Sequence, residues 1–110
     1  MEIFFRNEAD EQMFMVERAR KKAWGKLATQ IERRLDDILA APTLSHMRGL
    51  PGRCHELTGD REGLISIRVS GNYRLLFKPA NEPAPVKSDG GLDWSGVTAI
   101  TIVGIEDYHE

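Results

Sequence analysis

The sequence predicts an α/β fold of the α+β kind, with a helical hairpin lying on a sheet. Three observations lead there. Leu27, Ile31, Leu35, Ile38 and Leu39 recur at a 3.6-residue period within residues 26–41, the mark of an amphipathic helix. Residues 64–78 change to a period of two, which belongs to strands with one buried face. The apolar run over 98–105 reads as a further strand.

Taken in order, residues 1–5 form a short edge strand. Asn7 is placed to cap a helix over 8–22. Glu8, Asp10 and Glu11 lie in its first turn and Arg18, Arg20, Lys21 and Lys22 near its end, an order that suits the helix dipole. Trp24-Gly25 breaks this helix, and Trp24 reads as the plug of the hairpin. The second helix, 26–41, ends at Pro42. Residues 43–63 are irregular, with turn signals at Gly49, Pro51-Gly52, Gly59-Asp60 and Gly63 and a short strand over 54–57. Asp60-Arg61 reads as a structural pair in its turn. Residues 79–96 (PANEPAPVKSDGGLDWSG) form a long Pro/Gly-rich loop, of the kind used as a functional flap or a mobile insertion. Trp94 within it is a lid anchor or a partner contact. The last strand covers 97–105.

The hairpin over 64–78 allows the sharpest inference. Ile65, Ile67 and Val69 share one face, as do Tyr73, Leu75 and Phe77. A three-residue loop over 70–72 pairs Val69 with Tyr73, Ile67 with Leu75 and Ile65 with Phe77. A two-residue turn at Gly71-Asn72 would mix the faces. Register follows the buried face, which favours the longer loop. Arg68 then stands directly opposite Arg74 on the other face. Like charges in that position repel, and they call for water, an internal carboxylate or a bound anion. The planar fork of arginine suits phosphate.

The totals bound the function. With 110 residues, 41% hydrophobic and 29% charged, the chain reads as one globular domain over 1–110. No apolar run reaches membrane-spanning length and the N-terminus lacks a signal-peptide pattern, so no membrane partner and a cytoplasmic location are expected. Cys54 is alone, which excludes an internal disulfide and marks a small, partly buried residue. The net charge of −2 hides an asymmetry. Fourteen Lys/Arg stand against eleven Asp/Glu through residue 78, and one against six beyond it. A local anion-binding face is compatible with that distribution.

Three ordered segments carry a family resemblance: HELTGDREG at 55–63, SIRVSGNYRLLF at 66–77 and EDYH at 106–109. They resemble the RelE/HigB class of bacterial type II toxins, and HigB most closely. The resemblance implies a small twisted, mainly antiparallel sheet with two N-terminal helices packed on one face. It also implies a ribosome-dependent mRNA endonuclease that works without metal or other cofactor. Its partners would be mRNA in the ribosomal A site and a helix-turn-helix, HigA-like antitoxin, with DNA contacted only through the antitoxin. Carried over by position, the family's site falls on His55, Arg68, Arg74, Asp107, Tyr108 and His109, with Arg61 and Lys78 as further RNA contacts. Two other readings of this scaffold are a ParE-like inhibitor of DNA gyrase, which needs no acid or base, and a non-toxic partner-binding protein.

The segment GIEDYHE holds one more expectation. A regular last strand that buries Ile100 and Ile102 puts Asp107 and His109 on the arginine face and Tyr108 on the other. A bulge at Gly104 would swap the faces and bring Ile105 into the core. The regular strand is the reading preferred from sequence.

Overall fold

The computed structural model describes residues 1–107. In chain order the elements are β1 (Glu2–Phe5), α1 (Glu8–Met15), α2 (Glu17–Trp24), α3 (Ala28–Ala40), β2 (His55–Glu56), β3 (Ile65–Ser70), β4 (Tyr73–Pro79) and β5 (Ala99–Asp107). The strands form one sheet in the order β1-β5-β4-β3-β2. Neighbours are antiparallel except β1, an edge strand that runs parallel to β5. One sheet face supplies Ile65, Ile67, Leu75, Phe77, Ile100 and Ile102 to a core closed by Phe14, Ile31, Leu35 and Ile38 from the helices. This is the expected α+β architecture.

Asn7 caps α1 as its sequence position suggests, with its side-chain oxygen accepting the Asp10 N–H at 2.8 Å. The helix does not continue to residue 22, however. It stops at Val16, where the backbone is extended (φ −94°, ψ 119°), and restarts at Glu17. Phe14 and Arg20 are both buried, yet on an unbroken helix they would point about 120° apart. The break lets both face inward. Arg20 then donates to the Phe14 carbonyl, one of those left open at the end of α1, and pairs with Glu32 at 3.3 Å.

Trp24 packs on Phe14 with ring centroids 4.7 Å apart, as a hairpin plug should. Gly25, at φ 54°, makes the reversal toward α3. Helix α3 buries Ala28, Ile31, Leu35 and Ile38. Leu39, grouped with them by sequence, is 48% exposed because it lies about 100° beyond Ile38.

In the β3–β4 hairpin, Ile65 faces Phe77, Ile67 faces Leu75 and Arg68 faces Arg74, the register expected from the buried face. The end of the hairpin differs. Val69 is bulged out of the ladder, Ser70 pairs with Tyr73, and the turn is the two residues Gly71-Asn72. Gly71 has φ 56°, which a first central position in such a turn demands. The bulge reconciles a two-residue turn with the core register below it. Val69 stays buried, whereas Tyr73, expected in the core, is 41% exposed.

The 79–96 insertion is not structureless. Val86 and Leu92 form a β-bridge, and Asn81 bonds Thr98 at 2.9 Å. Trp94 is buried in the core. Its indole N–H donates to Glu56 at 2.9 Å, and the Arg48 guanidinium lies 4.1 Å over its ring. Glu56 stands opposite Ile65, so Trp94 anchors the insertion on the core side of the sheet. Among the described residues, no helix is long and apolar enough to cross a membrane.

Candidate functional site

The sheet face away from the helices collects the chain's polar chemistry. Alternation along β3 and β4 puts Ser66, Arg68, Arg74 and Lys78 there, and His55 joins them from β2, opposite Ser66. Arg68 and Arg74 are directly opposite each other. Arg68 is exposed but fixed at its base. Its backbone N–H donates to Gly52 O at 2.8 Å, its carbonyl accepts from Arg34 Nε at 2.8 Å, and its own Nε donates to Gly71 O at 3.1 Å. Among the described residues no carboxylate lies within ion-pair distance of Arg68 or Arg53.

A pocket of about 500 Å³ opens beside this pair, lined by Arg53, Cys54, His55 and Arg74. His55 Nδ1 lies 2.7 Å from the Arg53 carbonyl oxygen. A carbonyl only accepts, so Nδ1 carries the proton and Nε2 of the neutral ring keeps its lone pair. That is the tautomer a general base requires. Arg53 holds φ 50°, the one positive φ outside glycine among the described residues, a costly conformation for a residue with a β-carbon. It follows Gly52, at φ 114°, where an added Cβ would come within 2.6 Å of Ile67 Cγ1. The kink at Gly52-Arg53, pinned to the Arg68 N–H, turns the Arg53 carbonyl onto His55. Cys54 is buried, and burial pushes its thiol up to about 12 against a smaller opposing pull from Arg48. It is a packed neutral thiol, as its lone occurrence suggested.

At the end of β5 the structure corrects the sequence reading. Leu76 stands opposite Gly104 and Phe77 opposite Ile102, which leaves Val103 as an extra, bulged residue. The faces swap beyond it. Ile105 packs against the core, Glu106 stands opposite Arg74, and Asp107 stands opposite Tyr73. Asp107 therefore leaves the arginine face and lines a cleft with Trp24, Lys26 and Tyr73 on the helical side. Arg61 pairs with Glu106 across the sheet. Lys78 shares the arginine face but sits opposite Thr101, about 13 Å along the strand from Arg74. Tyr108 and His109 lie outside the described residues.

His55, Arg68 and Arg74 are thus brought together, and Arg61 reaches the same face. Two members were missed from sequence. Arg53 was hidden in an irregular stretch, though its place between a Pro-Gly turn and His55 was a usable signal. Glu106 was hidden by the bulge, for which Gly104 was the only hint.

Solved structures that share this fold include toxins of the YoeB kind. A YoeB/ParE toxin from Agrobacterium tumefaciens superimposes with a TM-score of 0.58 at 13% identity, covering 99% of this chain and 100% of that one. The YoeB-YefM complex from Staphylococcus aureus gives 0.55 at 18% identity, and the YoeB dimer from the same organism 0.53 at 19%, each covering 100% of this chain and 98% of the other. No curated protein sequence matches. A helical layer on one side of a mainly antiparallel sheet is the fold shared with these structures. The family model for HigB-like toxins, described as the RelE-like toxin of the type II toxin-antitoxin system HigB, matches residues 3–86, and the chain belongs to that family.

Proposed function

We propose that this toxin is a ribosome-dependent mRNA endoribonuclease. The observation that carries the reading is the meeting of Arg53, His55, Arg68 and Arg74 on one open sheet face. In the reaction, the RNA 2′-oxygen attacks its neighbouring phosphorus, and the bond from phosphorus to the 5′-oxygen breaks. The products are a 2′,3′-cyclic phosphate and a 5′-hydroxyl, which restricts the enzyme to RNA. His55 Nε2 takes the proton of the 2′-hydroxyl. Tyr108 or His109 returns one to the departing 5′-oxygen, as the family resemblance implies. Arg53, Arg68 and Arg74 hold the phosphate and stabilise the charge that builds on it. The reaction so written requires neither metal nor other cofactor. The ribosome contributes codon placement, a proximity effect the isolated protein lacks.

The solved YoeB-YefM complex supports a neutralising antitoxin for this chain as well. The resemblance makes that partner a helix-turn-helix protein of the HigA kind, through which any contact with DNA would run.

The test is induction in bacterial cells with mapping of mRNA 5′ ends. New 5′-hydroxyl ends at codon-spaced positions, lost in Arg74→Ala and His55→Ala, are expected. Growth arrest with intact mRNA, unchanged in those variants, would replace this reading with the gyrase-inhibitor one.

A further inference from the structure

We infer that Glu106 is an internal stand-in for an RNA phosphate. It keeps Arg61 strapped over a phosphate subsite made by Arg61, Ser66 and Arg74, and an incoming phosphodiester takes its place. The inference rests on the RNA-directed reading above and assigns a second contact region to the same face.

The geometry comes from the sheet register. Ser66, Leu76 and Gly104 form one row across the open face, and Arg68, Arg74 and Glu106 form another. Arg61 lies in the turn Gly59–Arg61, which precedes β3, beyond the Ser66 end of the sheet. To reach Glu106 it must cross the row of Ser66 and Leu76, a step of about 7 Å between rows on one face. Those two residues are 0% and 5% exposed although no helix covers them. Their burial fits an Arg61 side chain lying across them.

A second observation is independent of the ion pair. Ser66 Oγ is fully buried and has no hydrogen-bond partner among the described residues. Proteins rarely leave a hydroxyl in that state, and the exceptions ask for a reason. Ser66 stands opposite His55 in the register, on the face that Arg61 crosses to reach Glu106, where its hydroxyl can donate to a phosphate oxygen once the strap lifts.

Glu106 supplies the remaining piece. Its backbone position is opposite that of Arg74, and its carboxylate is held by Arg61, so the carboxylate occupies the place a phosphate would take on Arg61. Carboxylate and phosphate both offer oxygen pairs that match the guanidinium fork. The Arg61–Glu106 pair is only half-buried (37% and 30% exposed), and such pairs contribute little. It is weak enough to exchange for a phosphate. A phosphodiester that takes the guanidiniums gains Arg61 and the Ser66 hydroxyl together.

The experiment measures binding of a 2′-O-methyl RNA oligonucleotide by fluorescence anisotropy at low salt. Methylation removes the attacking hydroxyl, so binding is read without cleavage. Glu106→Gln should bind about fivefold tighter, the equivalent of one released half-exposed ion pair, and Arg61→Ala should bind more weakly. In the Arg61→Ala background, Glu106→Gln should tighten binding far less. Equal tightening in both backgrounds would reduce Glu106 to a general charge effect and overturn the inference, as would no tightening in either. If Glu106→Gln does not fold, the wild-type protein serves through arginine Nε–Hε NMR signals. The oligonucleotide should shift Arg61 and leave Arg34 in place, and a fixed Arg61 signal overturns the inference. Binding as expected from a protein that cuts no mRNA in cells would remove the endonuclease reading and keep the subsite.

Discussion

Glu106 stands directly opposite Arg74, and Asp107 does not. One bulged residue, Val103, decides this. A bulge adds a residue to one strand without a partner on the other, so every side chain beyond it changes face. The carboxylate on the arginine face is therefore the one the sequence reading passed over, and it already holds Arg61.

Arg68 opposite Arg74 predicts that the protein responds to anions. Two facing guanidiniums repel, and a bound phosphate removes that cost. At about ten times its Kd, phosphate should stabilise the fold by about 1.4 kcal/mol, or roughly 5 °C in Tm, relative to chloride at equal ionic strength. Scanning fluorimetry of wild type, Arg68→Ala and Arg74→Ala tests this, with the gain confined to wild type.

His55→Asn separates binding from proton transfer. The Asn amide can still donate to the Arg53 carbonyl, but no Nε2 base remains. Single-turnover cleavage on programmed ribosomes should fall about 10²- to 10⁴-fold, while affinity for the 2′-O-methyl oligonucleotide is kept. An unchanged cleavage rate would remove His55 from the chemistry.

Ser66→Ala should trade function for stability. It removes a buried hydroxyl without a partner among the described residues, a group whose burial costs about 1–3 kcal/mol. The urea midpoint should rise and oligonucleotide affinity should fall. A lower midpoint would show that the hydroxyl is already well satisfied in the free protein.

Gly52→Ala tests how the pocket is built. The new Cβ would meet Ile67 Cγ1 at 2.6 Å at a backbone φ of 114°. Overpacking and strain together should cost about 3 kcal/mol, read as a lower urea midpoint at unchanged m-value. Because Arg53 follows directly, activity should fall further than the loss of folded protein explains.

Cys54 makes a prediction about alkaline stability. Burial raises its thiol from 9.0 to about 12, so the folded state keeps its proton where the unfolded state gives it up. Stability is then full below about pH 9 and falls as pH rises toward 12, by about 1.4 kcal/mol per unit from this group. Cys54→Ala should lack that component in urea titrations between pH 8 and 11. The native thiol should also resist alkylation at pH 8 until the chain unfolds.

Much of the fold was legible because its signals are local. Asn7 before an acidic first turn marked a helix start. The stripe of Ile31, Leu35 and Ile38 marked the buried side of α3. The alternation of Ile65 and Ile67 against Leu75 and Phe77 was enough to set Arg68 opposite Arg74. Each rests on residues close in the chain, where periodicity alone fixes direction.

The sequence by itself therefore determined the α+β architecture, the central register of the hairpin and the arginine pair. Tertiary structure alone decided the break at Val16, the bulges at Val69 and Val103, the carbonyl of Arg53 on His55, and the Arg61–Glu106 strap. The reason is physical. A bulge changes which face a residue occupies without changing the apolar pattern on either side of it. An ion pair between residues far apart in the chain has no period at all. Both follow from how the whole sheet packs, and together they assemble the candidate site.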